Sequence, residues 1–177
     1  VHSSPARFDM KKLEAINGDK IRALNLDEFL KWSLPFLTKA EVITGSDAEI
    51  ALVKLALPLI QERIVKLDEV PAMLRFLFVK NFAVEEASLS KVTDTASKDV
   101  LKRTLAELTP LITWNHDSIE AALRASLIEE MGLKPRIAFG AVRIATTGST
   151  ISPPLFESME LLGKEACLAR ISAAIDL

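Results

Sequence analysis

Residues 132–165, GLKPRIAFGAVRIATTGSTISPPLFESMELLGKE, decide how the rest of the chain is read. This stretch carries Lys134, Arg136 and Arg143, and no acidic residue lies between Glu130 and Glu157. The chain as a whole holds 22 Lys and Arg against 24 Asp and Glu, so the gap in negative charge is local. Thr146-Thr147-Gly148-Ser149-Thr150 reads as a turn-rich hinge. A helix start is expected directly after it. Ser152 can accept from the orphan amides of that helix, and Pro153 suits the first helical position, where no amide donor is needed. Leu155, Phe156, Met159 and Leu162 then follow at helical spacing, and Gly163 can end the helix in a left-handed cap. A basic helix, a polar loop and a fresh helix N-terminus form a surface suited to phosphates and unpaired bases. The same residues also read as a solvated helix face followed by an ordinary helix start, and physics alone leaves both readings open.

Outward from this stretch the pattern is helical throughout. Asp9–Ile16 and Asp19–Leu24 read as two short helices parted by an Asn17-Gly18 turn. Leu26–Leu37 reads as a third, with Pro35 expected to bend or end it. Ser46 and Glu49 form a capping box for a helix expected to reach about Ile64. That helix is apolar on several sides, as in a bundle interior, and Pro58 should kink it. Asp68–Val79 reads as a helix with Pro71 in its first turn, and a break follows at Asn81–Ala83. Val84–Val92 can hold a short helix, and Thr95–Leu108 is amphipathic with Lys98, Lys102 and Arg103 outward. A helix capped from Asp117-Ser118-Ile119-Glu120 should reach Met131, with Gly132 closing it. Trp114, just before it, either stacks a base or staples onto Ile119 or Leu123. Lys164–Ile175 presents Cys167, Leu168, Ile171 and Ile175 inward. No strand alternation and no internal repeat is visible, so the expected class is all-α, in two helical bundles divided at 82/83.

Composition narrows the function. A net charge of -2 argues against a general polyanion binder, so any nucleic-acid surface must be local. With no Tyr and two Trp, aromatic platforms for stacking bases are few. One cysteine, Cys167, excludes an internal disulfide and fits a small core residue in a reducing, cytoplasmic setting. No apolar run approaches the ~18 residues of a membrane span. VHSSPARFD at the start lacks an apolar signal segment and an initiator Met, which reads as a piece of something longer.

GLKPRxAF, the Arg143 helix, TGSTISPPLFESMELLGKE and the earlier FDMKKLEAINGDKIR resemble, in order, the C-terminal half of bacterial glutamyl-tRNA synthetases. The likeness covers essentially all 177 residues and is weakest from Val84 to Asn115. It implies a stem-contact bundle over 1–82 and, over 83–177, the helical anticodon-binding cage of a class I synthetase. The partners it implies are the glutamate tRNA and a catalytic domain of the same protein. It further implies that Arg143 holds phosphate or the middle anticodon base. Ser152, Pro153, Leu155 and Phe156 would line the pocket for the first two bases. Lys134, Arg136, Arg7, Lys11 and Arg22 would contact the tRNA backbone, which positions without specifying.

Arg63 carries two readings. Near a helix C-terminus its charge complements the dipole. Its planar fork can also pair with a base edge. In the family, the arginine of QERIVKLDEVP reads the last anticodon base and marks enzymes that reject glutamine tRNA. Phe156 likewise reads as core or as a stacking platform.

Catalytic chemistry is not legible in the sequence. His2 and His116, the two histidines, have no Cys or second His at metal spacing, and there is no phosphate-cradling glycine loop. The family's ATP motifs are missing, so the resemblance implies that ATP and Mg belong to a catalytic domain outside these residues. It implies no cofactor and no metal here. A helical protein-interaction module is the alternative reading. A small stand-alone enzyme, with no candidate site, ranks below it.

Overall fold

The computed structural model describes residues 9–177, and it is all-α. Arg7 and His2 lie outside the described residues. The chain divides into two compact units, one ending at Ala72 and the other spanning Met73–Leu177. The division falls earlier than the boundary expected at 82/83. Within the second unit Arg170 donates to the Phe76 carbonyl, which ties that part of the chain to the unit's last helix.

The first unit contains α1 (Met10–Ala23), α2 (Leu26–Lys39) and α3 (Asp47–Ile60). Asn17-Gly18 does not break α1 into two helices, contrary to the turn expectation. The Asn17 side chain donates to the Val65 carbonyl at 2.8 Å, so its amide is spent on a distant segment rather than on a local turn. Gly18 is buried, and a Cβ there would meet the Arg22 guanidinium at 3.1 Å and Val65 Cγ1 at 3.2 Å, a tight approach that a side chain would crowd. Pro35 does not end α2 either. It lies on the exposed face, where water can take the carbonyl it frees. The Ser46–Glu49 capping box is present. Glu49 accepts from the amides of Thr44, Gly45 and Ser46, and its carboxyl is pulled down to about 2, chiefly by the Ser46 amide.

Helix α3 ends at Ile60, not near Ile64. The amides of Arg63 and Ile64 both reach back to the Ile60 carbonyl, which tightens the chain into a turn. Buried Ile64 anchors that turn. The helix expected over 68–79 is three pieces: a 3-10 turn Leu67–Glu69, α4 (Val70–Leu74) and a second 3-10 turn Arg75–Leu77.

The second unit is built from α5 (Glu86–Thr93), α6 (Thr95–Leu108), α7 (His116–Leu123), α8 (Pro135–Thr147), α9 (Leu155–Leu162) and α10 (Lys164–Ile175). Helix α10 packs on α6 and α8, α7 packs on α9, and α8 packs on α5 and α6. Val100, Leu101, Leu108, Leu123, Val142 and Ile171 lie in the shared core. Cys167 is buried there, and burial pushes its thiol up to about 12, so it is an inert core residue. Asn115, not Asp117, caps α7, accepting from the Ser118 amide at 2.8 Å. After Leu123 the helix continues as a π-helix, Arg124–Glu130, and Gly132 turns the chain at φ 67°. Trp114 packs against the core and donates from its indole to the Met159 carbonyl at 3.0 Å. That bond fixes it as a structural side chain.

His116 opens α7 and joins it to α9. Glu160 accepts from the His116 amide at 3.0 Å and lies 2.6 Å from Nδ1, while Asp117 lies 3.4 Å from Nε2. The Glu160 contact raises the His116 pKa above 6.5 and lowers that of Glu160 below 4.5, with Asp117 and Glu157 adding to the histidine's shift. The sign follows from the two directions. The histidine's share of stability is full below pH 6.5 and is lost as pH rises through its folded pKa. The carboxylate's share is full above pH 4.5 and is lost as pH falls through its own. His116→Gln should therefore flatten the decline in melting temperature above pH 6.5, read by thermal scans across pH. An unchanged pH profile would show that the contact is energetically silent.

Candidate nucleic-acid interface

In the first unit the candidate is Arg63. It is exposed, just beyond the end of α3. The turn that carries it is held from several sides. Gln61 donates from Nε2 to the carbonyls of Ile21 and Leu24, both at 2.9 Å, which satisfies the C-terminal end of α1. Glu69 accepts from the amides of Val65 and Lys66, and Lys66 pairs with Glu14 at 2.9 Å. A solvent-facing guanidinium on a fixed turn is the arrangement a base-edge contact needs. Lys11 is also exposed, and Arg22 is paired with Asp19 at 2.6 Å.

In the second unit the candidates gather around α8. Pro135 opens this helix at its first position, and Gly148 ends it in a left-handed cap, donating to the Ile144 carbonyl at 2.8 Å. Gly148 is required there: its φ is +85°, and a Cβ would meet the Ala83 carbonyl oxygen at 3.1 Å.

The hinge then departs from the sequence expectation. Helix α9 begins at Leu155 with Pro154 as its cap, and Ser152 does not cap it. Pro153 precedes another proline, which drives it out of the helical region, so it cannot take the first helical position. The Ser152 hydroxyl accepts from Arg143 and donates to the Pro153 carbonyl at 2.9 Å. Arg143 donates to that carbonyl too, at 2.8 Å. Arg143 thus straps the 149–153 loop to α8. Gly163 has φ 89° and ψ 154°, so it ends α9 with a positive φ outside the left-handed helical region.

Ser152, Pro153 and Leu155 are buried. Phe156 is half-buried and meets Phe139 edge-on at 5.1 Å, a packing contact. Lys134 and Arg136 are exposed at the start of α8. A groove of about 850 Å³ runs between α8 and the α5–α6 junction, and Arg136, Gly140, Arg143, Thr150 and Lys91 line it. Its carboxylate, Asp94, is engaged as the cap of α6, accepting from the Ser97 amide at 3.0 Å and hydroxyl at 2.6 Å. Those bonds hold its carboxyl below the usual range. The sequence pointed to Arg136, Arg143 and the polar loop that holds Thr150, but not to Lys91 and Gly140, which no local pattern marks out.

The fold class and this groove define an all-helical module with a local cationic surface. The family model described as "Anticodon binding domain" matches residues 25–175, and the chain belongs to that family. The glutamate–tRNA ligase of Nocardioides sp. is 48% identical over 179 residues, covering 99% of this chain and 36% of that protein. The glutamate–tRNA ligase of Saccharopolyspora erythraea is 44% identical over 178 residues, covering 99% and 35%. The chain therefore spans about a third of the length of these relatives. The crystal structure of a glutamate tRNA ligase from Elizabethkingia meningosepticum in complex with its amino acid superimposes with a TM-score of 0.75. It covers 99% of this chain and 34% of that one at 20% identity, and so shows the fold.

Proposed function

We propose that this chain is the anticodon-reading part of a glutamate–tRNA ligase and grips the anticodon arm of the glutamate tRNA. The match to the anticodon-binding family across residues 25–175 carries the reading. Unpaired anticodon bases can be splayed out and read on their edges. Arg63 reads the third base from its turn and, by the same contact, disfavours the glutamine tRNA. Arg143 takes phosphate or the middle base at the groove. Ser152, Pro153 and Leu155 act from behind it, shaping the 149–153 loop, and Phe156 acts through Phe139. Lys134, Arg136, Arg7, Lys11 and Arg22 serve the tRNA backbone. Ligation of glutamate with ATP and Mg is assigned to the catalytic portion of a longer cytoplasmic protein, in line with the relatives' greater length.

The test is filter binding of glutamate tRNA and of variants changed at each anticodon position. Arg63→Ala should lose roughly tenfold discrimination at the third base, the worth of one good base-edge contact. Lys134→Ala should instead weaken all tRNAs alike and lower the salt slope by about one. Equal losses across all variants for Arg63→Ala reject its role. Binding to an unrelated RNA as tight as to the glutamate tRNA would favour a protein-interaction module.

A further inference from the structure

Gly140 stands in the middle of α8, where glycine disfavours the helix relative to alanine. Among the described residues, no close neighbour requires it. Its φ is not left-handed, and a Cβ built there meets no atom within 4 Å. Gly18 and Gly148, by contrast, are each pressed against a neighbour. The empty space beside Gly140 is the groove itself. Arg136, Gly140 and Arg143 fall at i, i+4 and i+7, so they share one face, with the bare position between two guanidinium groups. Ile137, 57% exposed, borders the same space and offers an apolar surface. Lys91 at the end of α5 lines the groove from another element, and the Asp94 carboxylate is committed to its cap.

We propose that Gly140 and Lys91 form a subsite for one unpaired nucleotide of the bound RNA. The flat face of the base or its ribose lies on the bare helix surface at Gly140, and the Lys91 ammonium takes the phosphate. A side chain at position 140 would occupy that space, which gives the glycine a reason the fold does not supply. The subsite deepens the anticodon-arm reading and rests on it.

Two substitutions with opposed effects test the subsite. Gly140→Ala should melt higher than the unmodified chain, because alanine favours the helix and no clash opposes it. It should nevertheless bind glutamate tRNA more weakly. Gly140→Leu should weaken binding roughly tenfold, about the worth of one lost base contact, with no change in the salt slope. Lys91→Ala should lower that slope by about one phosphate contact. Folded Gly140→Ala and Gly140→Leu proteins that bind as tightly as the unmodified chain overturn the subsite and leave the anticodon reading standing. A Gly140→Ala protein that melts lower assigns the glycine a structural role and also overturns it. An unmodified chain that fails to distinguish glutamate tRNA from a transcript with a replaced anticodon loop sinks the anticodon reading, and the subsite with it.

Discussion

Arg170→Ala should lower the stability of the second unit by about 3 kcal/mol, the worth of two charge-assisted hydrogen bonds and a stacked ring. The Arg170 guanidinium donates to the Thr146 carbonyl at 2.8 Å and to the Phe76 carbonyl at 2.9 Å. It also lies 4.0 Å from the centre of the Phe82 ring. One side chain on α10 thus holds the end of α8 and the segment that leads into α5. Truncation leaves both carbonyls without this donor and uncovers the ring. Lysine should restore only part of the loss, because a single ammonium cannot make both bonds and stack as well. The measurement is a melt followed by Trp114 fluorescence with Trp32 changed to Phe, so that the signal reports on the second unit. A fall of about 10 °C is expected. A change smaller than about 2 °C would mean that water replaces the guanidinium at little cost.

Arg143→Ala should act on stability and binding together. Arg143 donates to the Ser152 hydroxyl and to the Pro153 carbonyl, and it also lines the groove. Losing the strap should cost about 2 kcal/mol, as two partly buried hydrogen bonds to a charged group disappear. Losing the cation should weaken glutamate tRNA binding at least tenfold, by roughly one charge-assisted contact. Ser152→Ala separates the two roles, since it removes an acceptor while leaving the charge in the groove. It should cost stability but little affinity. If Ser152→Ala weakens binding as much as Arg143→Ala does, Arg143 works only by shaping the loop. If Arg143→Ala binds tRNA as the unmodified chain does, the residue has no part in recognition.

What could be read without coordinates was local. The Ser46–Glu49 box, the Thr95–Leu108 helix and the closure at Gly132 depend on residues within a turn of one another, and each appears as expected. Even so, local signals misled, and two of these cases show why. Asn17-Gly18 has the chemistry of a turn, yet the Asn17 amide bonds Val65, 48 residues away, and α1 runs through. Ser152-Pro153 has the chemistry of a helix start, yet the second proline delays the helix to Leu155 and frees the serine for Arg143. The first error came from a distant partner. The second was legible in principle, because the restriction imposed by Pro154 is itself local.

The candidate site divides along the same line. The acid-free run from Met131 to Phe156, the helical class and the cations Arg136 and Arg143 stand in the amino-acid order, because charge and helical period need no partner to be seen, whereas Arg63 is singled out only by the family resemblance. Only the folded chain decides that Lys91 shares a groove with α8, that Gly140 faces empty space, and that Ser152 is buried under a guanidinium. Those facts depend on which helices pack together, and packing joins residues whose separation in sequence no periodic pattern encodes.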